Sequence, residues 1–255
     1  MATRRPVKTA KQLIVGVITS PADLQFALAM RQPPDLFELR LDYLCGSLDQ
    51  LERKMSTRPP EPRRRRLLNS VTISQLRAPI IITARDPREG GANNLSLQQR
   101  RELLRQFLPH AKYVDVELRS ARAFTELIAR ARKQNARVIL SFHDFKSTPS
   151  ARSLRAKAAL AKAHGADIFK VATRTDTPAT LARLVDFVMN KKLDSSRRSS
   201  AKADLPVSAM GVGQLGAVSR LLLASGGSAL NYASLRQSRV EGQLPIDLLR
   251  SALLR

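Results

Sequence analysis

The chain has 255 residues, 43% of them hydrophobic, so it is long enough for one large barrel or two ordinary domains. Its 44 Lys and Arg residues against 21 Asp and Glu residues give a formal net charge of +23. A charge of this size suggests a polyanion such as nucleic acid as a partner. The absence of Trp and an aromatic content of 4% argue against a protein that recognises nucleic acid by stacking on bases.

Much of the basic excess lies in three segments typical of solvated loops, residues 4–8, 63–66 and 191–202. The single Cys45 excludes an intrachain disulfide and a cysteine-cluster metal site, which favours a reducing compartment, the cytoplasm. The first apolar run, 13–18, is shorter than the roughly 7 to 15 residues of a signal-peptide core, and no run approaches the roughly 20 residues of a membrane helix. We therefore expect residues 1–11 to be a basic, flexible N-terminal segment, and we expect no membrane association.

Short apolar runs recur along the chain with helix-length segments between them. Eight such runs are found, at 13–18, 36–41, 79–83, 113–118, 137–142, 167–172, 206–210 and 228–232. Strand followed by helix, repeated eight times over about 250 residues, is typical of a (β/α)8 barrel. The sequence therefore predicts a single-domain α/β protein of the TIM-barrel type over residues 12–255.

Two of the intervening segments carry clear helix-start signals. Ser96 and Gln99 have the spacing of a capping box ahead of a helix with Leu104 and Phe107 on one face. Thr177 and Pro178 are a favourable N-cap and first helical residue for the next apolar pattern of period 3.6, which comprises Leu181, Leu184, Val185, Val188 and Met189.

A glycine motif after the seventh run offers an alternative fold. Gly211, Gly213 and Gly216 satisfy the G-x-G-x-x-G pattern of dinucleotide-binding domains. That fingerprint belongs in the first strand–helix unit and needs an acidic residue about 20 positions on, where this chain has Arg236 and Gln237. We instead expect the glycines to form the loop after the seventh strand, where backbone N–H groups and a helix N-terminus can bind an anion.

Two reactive side chains close neighbouring strand-like runs. His143 follows the run that ends at Phe142, and Lys170 follows Ile168 and Phe169. Lys is depleted in buried strands, and a desolvated ammonium loses its proton readily to give an amine that attacks a ketone. Because catalytic groups of barrels gather at the carboxyl ends of strands, the pair indicates an enzyme that works through a Schiff base.

Further charged residues fall at the same ends of the predicted strands. Alternation places Glu38, Arg40 and Asp42 on one strand face, toward the barrel lumen, where they form either a binding site or a structural ion network in the barrel mouth. Asp115 and Glu117 likewise share one face of their strand. The whole set comprises Glu38, Arg40 and Asp42 at the end of the second run, Arg85 and Glu89 after the third, Asp115 and Glu117 in the fourth, and Arg220 in the helix after the seventh.

The order of these motifs resembles that of the type I 3-dehydroquinate dehydratases of the shikimate pathway. The resemblance spans most of the chain and rests on seven elements in sequence. They are the E-x-R-x-D strand at 38–42, the T-x-R and E-G-G segment at 83–91, the D-x-E strand at 115–117, the His segment at 141–149, the Lys segment at 166–171, the glycine loop at 210–220 and the G-S-A-L and G-Q elements at 227–243.

The resemblance implies conversion of 3-dehydroquinate to 3-dehydroshikimate and water, with no metal and no cofactor, by a homodimer. It implies that Lys170 forms the imine, that His143 moves protons, and that a carboxylate orients His143. Glu89 is the first choice for that carboxylate, and Asp115 or Glu117 the second. It further implies that the substrate is bound by Glu38, Arg40, Arg85, Arg220, Ser238, Arg239 and Gln243, and that Asp42, Asp115 and Glu117 support the site.

The chain departs from the family pattern at three places. Arg239 stands where the family usually has Ser or Thr four residues before the loop Gln, with Ser238 one position away. Gly226 replaces a common aromatic residue, and the proline- and arginine-rich segment 58–66 is unusual. A class I Schiff-base aldolase on the same barrel, or a basic nucleic-acid-binding or scaffold protein, is the alternative. The aldolase leaves the E-x-R-x-D and G-Q elements unexplained, and the scaffold leaves the inward charges unexplained.

Overall fold

The computed structural model describes residues 12–45, 73–189 and 204–253. These residues form eight parallel strands, each joined to the next along the barrel wall in the order β7-β6-β5-β4-β3-β2-β1-β8. The strands are β1 (Leu13–Ile18), β2 (Leu36–Arg40), β3 (Ile80–Thr83), β4 (Ala111–Glu117), β5 (Arg137–Asp144), β6 (Ile168–Arg174), β7 (Val207–Val212) and β8 (Leu230–Ser234).

Helices follow the strands on the outside of the sheet. They are α1 (Pro21–Ala29), α2 (Leu97–Phe107), α3 (Thr125–Lys133), α4 (Ala151–Ala163), α5 (Pro178–Met189), α6 (Gly216–Ser225) and α7 (Ile246–Leu253), and residues 41–45 are also helical. In the described ranges, no helix is both long enough and apolar enough to span a membrane. The basic segments 1–11, 58–66 and 191–202 lie outside the described residues.

The barrel is nearly closed between β7 and β8, the two ends of the strand order. β7 and β8 are linked by the bond from Ala229 N to Val207 O, 2.8 Å, and by the bond from Ser208 Oγ to Leu230 O, 2.7 Å. The eight-stranded α/β barrel expected from the alternating runs is therefore confirmed, and the dinucleotide-binding open sheet is not the fold of this chain.

Strand alternation divides the apolar side chains into two cores. Val15, Ile81, Ile139 and Ile168 fill the lower lumen of the barrel, whereas a larger cluster lies between the sheet and the helices. Both faces of the strands are covered, which explains why the strands appear as continuous apolar runs rather than as an alternating pattern.

The predicted helix starts are present. Ser96 Oγ accepts from Gln99 N and Gln99 Oε1 accepts from Ser96 N, so α2 begins with a complete capping box. α5 begins at Pro178 and buries Leu184 and Val188. Met189, predicted on the same apolar face, is 49% exposed because it lies at the last residue of the helix.

Several strands run further than the apolar runs that predicted them. β5 continues through His143 and Asp144, and β6 continues to Arg174, because the backbone pairing goes on where polar side chains replace apolar ones. Lys170 is therefore the third residue of β6 and lies inside the strand, not at its end. β2 ends earlier, at Arg40, so Asp42 belongs to the following helical residues rather than to the strand.

Candidate active site

A cavity of about 370 Å³ opens at the carboxyl ends of the strands. Its wall brings together residues as far apart in the sequence as Val17 and Gln243. Nine of the ten residues predicted to act on or bind the substrate line it: Glu38, Arg40, Arg85, Glu89, His143, Lys170, Arg220, Arg239 and Gln243. A cleft of this size, with converging polar groups on an apolar barrel, is typical of a site for a small molecule.

Lys170 lies at the floor of the cavity and is 4% exposed. Its Nζ donates to Glu38 Oε1 at 3.1 Å and to Asp115 Oδ2 at 2.9 Å. The ring centroid of Tyr232 lies 3.9 Å from the same nitrogen, which is the geometry of a cation–π contact. The amine is thus contacted by groups from three other strands, β2, β4 and β8.

Asp115 binds two cations at once. Arg85 Nη2 donates to its Oδ2 at 2.8 Å, the same oxygen that accepts from Lys170. Burial acts to raise the pKa of Asp115, but the charges of Arg85 and Lys170 outweigh burial and hold this pKa well below its ordinary value. Asp115 therefore remains a carboxylate and can keep Lys170 in place at any pH relevant to function.

His143 is paired with Glu89, which ends the 3₁₀ turn Pro87–Glu89 after β3. Glu89 Oε2 is 3.0 Å from His143 Nδ1 and also accepts from the His143 backbone N–H at 3.0 Å. Burial lowers the pKa of His143 well below its ordinary value, and the nearby charges of Arg85 and Lys170 lower it further. Burial raises the pKa of Glu89 to about 7. Near neutral pH the imidazole is consequently uncharged.

Arg85 contacts two of the buried carboxylates. Its two terminal nitrogens donate to Asp115, to Glu117 Oε1 at 3.1 Å and to Ser141 Oγ at 2.6 Å. A guanidinium with this many internal acceptors has little donor capacity left for a ligand. The predicted role of Arg85 in binding substrate hydroxyls is therefore less well supported than its role in ordering the carboxylates.

Arg40 is oriented by Asp42. The two side chains form a two-point ion pair, with Nε to Oδ1 at 3.0 Å and Nη2 to Oδ2 at 2.8 Å, and Ala92 N donates to Asp42 as well. The Arg40 guanidinium also lies 4.8 Å from the centroid of the Tyr43 ring. Asp42 is fully buried and supports Arg40, which lines the cavity.

Arg220, on α6, is 6% exposed, and no carboxylate pairs with it within the described ranges. Nη1 donates to Tyr232 O at 3.0 Å, and Nε is buried without a hydrogen-bond partner. Burial lowers the pKa of Arg220 to about 10, so the side chain is still a cation near pH 7. A buried, unpaired cation that lines a cavity is suited to an anionic ligand.

The glycine loop after β7 does not form the predicted anion site. Its N–H groups are occupied: Gly211 donates to Ser219 Oγ, Gly213 to Glu241 O, and Gly216 to Gly213 O. Gly216 is instead required for packing, because a Cβ there would lie 2.9 Å from the Cα of Gly242. The motif allows the loop after β8 to pack against the start of α6.

That loop carries the last predicted residues. Arg239 and Gln243 line the cavity, and the Arg239 guanidinium lies 5.7 Å from the centroid of the Tyr43 ring. The Ser238 hydroxyl instead accepts from Val240 N and donates to Val240 O, and Ser238 is outside the cavity wall. Of the two candidates for the family's loop Ser or Thr, Arg239 is the one that faces the site.

The chain matches the family model for type I 3-dehydroquinase over residues 18–254. The chain belongs to the type I 3-dehydroquinase family. A 3-dehydroquinate dehydratase of Shouchella clausii is 38% identical over 232 residues, which cover 86% of this chain and 80% of that protein. A 3-dehydroquinate dehydratase of Aromatoleum aromaticum is 31% identical over an alignment 273 positions long, which covers 99% of this chain and 96% of that protein.

Solved structures agree with the sequence relatives. The crystal structure of 3-dehydroquinate dehydratase from Geobacillus kaustophilus superposes with a TM-score of 0.76 at 27% identity, covering 96% of this chain and 90% of that one. A type I 3-dehydroquinate dehydratase from Clostridium difficile has the same fold, with a TM-score of 0.77 at 21% identity.

Sequence patterns alone do not identify two contacts in and near the cavity. Tyr232 was seen only as part of the eighth strand, yet its ring contacts the nitrogen of Lys170. Arg100 belongs to an arginine-rich helix, yet it is 1% exposed and bound to Glu117. The inward face of β8 could have indicated Tyr232. For Arg100 the helical spacing to Leu104 and Phe107 was an available signal.

Proposed function

We propose that this chain catalyses the dehydration of 3-dehydroquinate to 3-dehydroshikimate through an imine on Lys170. The family membership of residues 18–254 supports the reaction, and the burial of Lys170 at the floor of the cavity supports the mechanism. The observation that carries the proposal is this lysine, held between Glu38 and Asp115 inside a barrel strand.

The first step makes Lys170 a nucleophile. The ammonium passes a proton to His143, whose Nε2 is available as a base when Nδ1–H donates to the Glu89 carboxylate. The amine then attacks the ketone carbon C3, and the carbonyl oxygen leaves as water after protonation, so that a C=N bond replaces C=O. This tautomer requires ionised Glu89, since a protonated Glu89 would donate to Nδ1 and leave the proton on Nε2.

The second step eliminates the hydroxyl group. The iminium withdraws electrons from C3 and so acidifies the C–H bond at C2, from which neutral His143 removes the proton. The C2 electron pair forms the C=C bond, the C1 hydroxyl departs, and His143 returns the proton to it as water. Hydrolysis of the imine by a water molecule releases the enone and regenerates Lys170.

The remaining cavity residues hold the ring in register with these groups. We assign the substrate carboxylate to Arg220, whose buried charge has no acidic partner among residues 12–45, 73–189 and 204–253. We assign the hydroxyls to Glu38, Arg40 and Gln243, with Arg239 closing the mouth in place of a loop Ser or Thr.

The test is covalent trapping. Wild-type protein with 3-dehydroquinate should generate enone absorbance, and added borohydride should inactivate it and leave one reduced adduct at Lys170 on peptide mass spectrometry. Lys170→Ala should lose both turnover and adduct, whereas Lys162→Ala, an exposed lysine on α4, should keep both. Turnover without any adduct, or an adduct at another lysine, would refute the mechanism. Carbon–carbon cleavage in place of dehydration would favour the aldolase alternative.

We also propose a cytoplasmic homodimer in which residues 12–255 form the barrel and residues 1–11 a basic extension. A lone cysteine supports a reducing compartment. Exposed apolar side chains on α6, Val218 and Leu222, supply a surface that a second copy of the chain can cover. Sedimentation velocity measures the oligomeric state directly.

A further inference from the structure

Arg100 is a buried arginine that reaches the barrel from an outer helix. It lies on the inward face of α2 and is 1% exposed. Nη1 donates to Glu117 Oε2 at 2.7 Å, and Nη2 lies 3.2 Å from Asp86 Oδ2 and donates to Ser120 Oγ at 3.3 Å. A guanidinium this deeply buried is retained only with such partners, so its position is tightly defined.

Glu117 connects Arg100 to the catalytic lysine. Its second oxygen, Oε1, accepts from Arg85 at 3.1 Å, Arg85 binds Asp115 at 2.8 Å, and Asp115 binds Lys170 at 2.9 Å. The five side chains form an unbroken series of alternating charges from α2 to the amine. All five are at most 4% exposed, so water screens their interactions little and each charge influences the next.

We infer that Arg100 is a positioning residue of the active site, which acts through Glu117 on the Arg85, Asp115 and Lys170 series. The inference rests on the proposed function, because it assigns Arg100 a role in that same site. When the Arg100 charge is removed, Glu117 remains paired with Arg85. Glu117 then attracts the Arg85 guanidinium more strongly, away from the two-point contact between Arg85 and Asp115. The hydrogen bond from Lys170 to Asp115 then changes as well.

The same loss reaches the Glu89–His143 pair. The charged groups that act on Glu89 include Arg85 and Arg119, which lower its pKa, and Glu117, which raises it beyond the effect of burial. The exposed Arg88, one residue before Glu89, also interacts with its charge. Removing the Arg100 charge leaves more of the Glu117 field uncompensated, so Glu89 ionises at a higher pH. Because the base form of His143 requires ionised Glu89, the acid limb of the activity profile should move to higher pH.

The experiment compares Arg100→Gln and Arg100→Lys with Arg105→Gln, which removes an exposed arginine of the same helix. kcat and KM are measured from pH 5.5 to 9. Arg100→Gln should lower kcat by roughly 3- to 30-fold, the range typical of a coupling through intermediate residues, with KM changed less than kcat. Its acid limb should shift upward, Arg100→Lys should recover most of both effects, and Arg105→Gln should match the wild type.

A second readout does not depend on turnover. The chain has three histidines, so nuclear magnetic resonance of labelled imidazoles can follow His143, assigned with a His143→Asn variant. Ionisation of Glu89 changes the His143 resonances, and in the Arg100→Gln variant the midpoint of this change should move to higher pH. If the wild type neither dehydrates 3-dehydroquinate nor forms an adduct, the proposed function fails, whereas this titration still tests Arg100.

A folded Arg100→Gln protein with wild-type kcat, acid limb and His143 titration would make Arg100 a structural anchor only and overturn the inference. If Arg100→Gln does not fold, the double variant Arg100→Gln, Glu117→Gln removes both buried charges and avoids the unpaired carboxylate. In that protein the negative charge of Glu117 no longer acts on Glu89, so the acid limb should move to lower pH than in the wild type. An unchanged or upward limb would contradict the role of Glu117.

Discussion

Tyr232 shows how one side chain can combine a useful ring with an unused hydroxyl. Its ring contacts Lys170 Nζ, while its hydroxyl is buried and has no hydrogen-bond partner in the described part of the chain. Burial raises the pKa of Tyr232 well above its ordinary value, and the negative charges of Glu38 and Asp115 raise it further. The hydroxyl is thus a neutral, unsatisfied donor, and such groups are destabilising by about 1–3 kcal/mol.

Tyr232→Phe should therefore keep the ring contact and raise the free energy of unfolding by about 1 kcal/mol, because the unsatisfied hydroxyl is removed. kcat should remain within about twofold of the wild type. Tyr232→Leu should lower both quantities, since it removes the ring from Lys170 and from the lumen core. Urea unfolding and steady-state kinetics measure the two effects. A large loss of kcat in Tyr232→Phe would instead show that the hydroxyl binds the substrate.

At the scale of elements, the loop between β8 and α7 is fixed over the cavity by contacts of unequal strength. Gly242 has a left-handed φ of 79°, and a Cβ there would lie 2.6 Å from the Cα of Gly216. Glu241 forms an ion pair with Arg174 at 2.9 Å, but these side chains are 55% and 35% exposed. Backbone packing at Gly242 therefore determines the position of the loop more than the ion pair does.

Gly242→Ala should raise KM strongly and lower stability, because its Cβ would overlap backbone that cannot move aside. Glu241→Gln should raise KM by at most about fivefold, the limit for an ion pair of about 1 kcal/mol at the surface. Kinetics on both variants, with Glu102→Gln on α2 as the control for a surface pair, test this ranking. Equal effects of Gly242→Ala and Glu241→Gln would argue against a loop anchored by glycine packing.

At the scale of the whole molecule, we expect the net charge of +23 to be dispensable for the active site. The buried charges instead alternate in sign, as in the series from Arg100 to Lys170. The basic segments 1–11 and 63–66 belong to parts of the chain outside the described residues. A diffuse excess of this kind attracts polyanions weakly and in a salt-dependent manner.

Removing residues 1–11 and replacing Arg63–Arg66 with glutamine should consequently leave dehydration nearly unchanged. Duplex DNA should bind the wild type weakly, with an affinity that falls steeply between about 50 and 200 mM salt, as fluorescence anisotropy can measure. Arg220→Ala removes one charge but should raise KM strongly, because the substrate carboxylate loses its partner. Inactive segment variants beside an unaffected Arg220→Ala would place function in the basic segments.

Local patterns in the sequence predict much of the architecture. Apolar runs of strand length and helical periods with caps at Ser96 and Thr177 depend on neighbours in the sequence, so they predicted the barrel without tertiary information. Strand ends were less predictable. Lys170 was placed at the end of its run but lies inside β6, because hydrogen bonding between strands continues beyond the apolar residues.

The sequence by itself determined the barrel, the family and the residue types that gather at its carboxyl end. Only the tertiary structure decided which of Glu89, Asp115 and Glu117 contacts His143, and that Glu89 does so while Asp115 holds Lys170. It also decided that Arg85 serves its neighbours and that the glycine loop binds the chain itself. The physical reason is that these contacts cross the barrel between strands distant in sequence. Their distances are set by closure of the sheet and its register, which local periodicity does not encode.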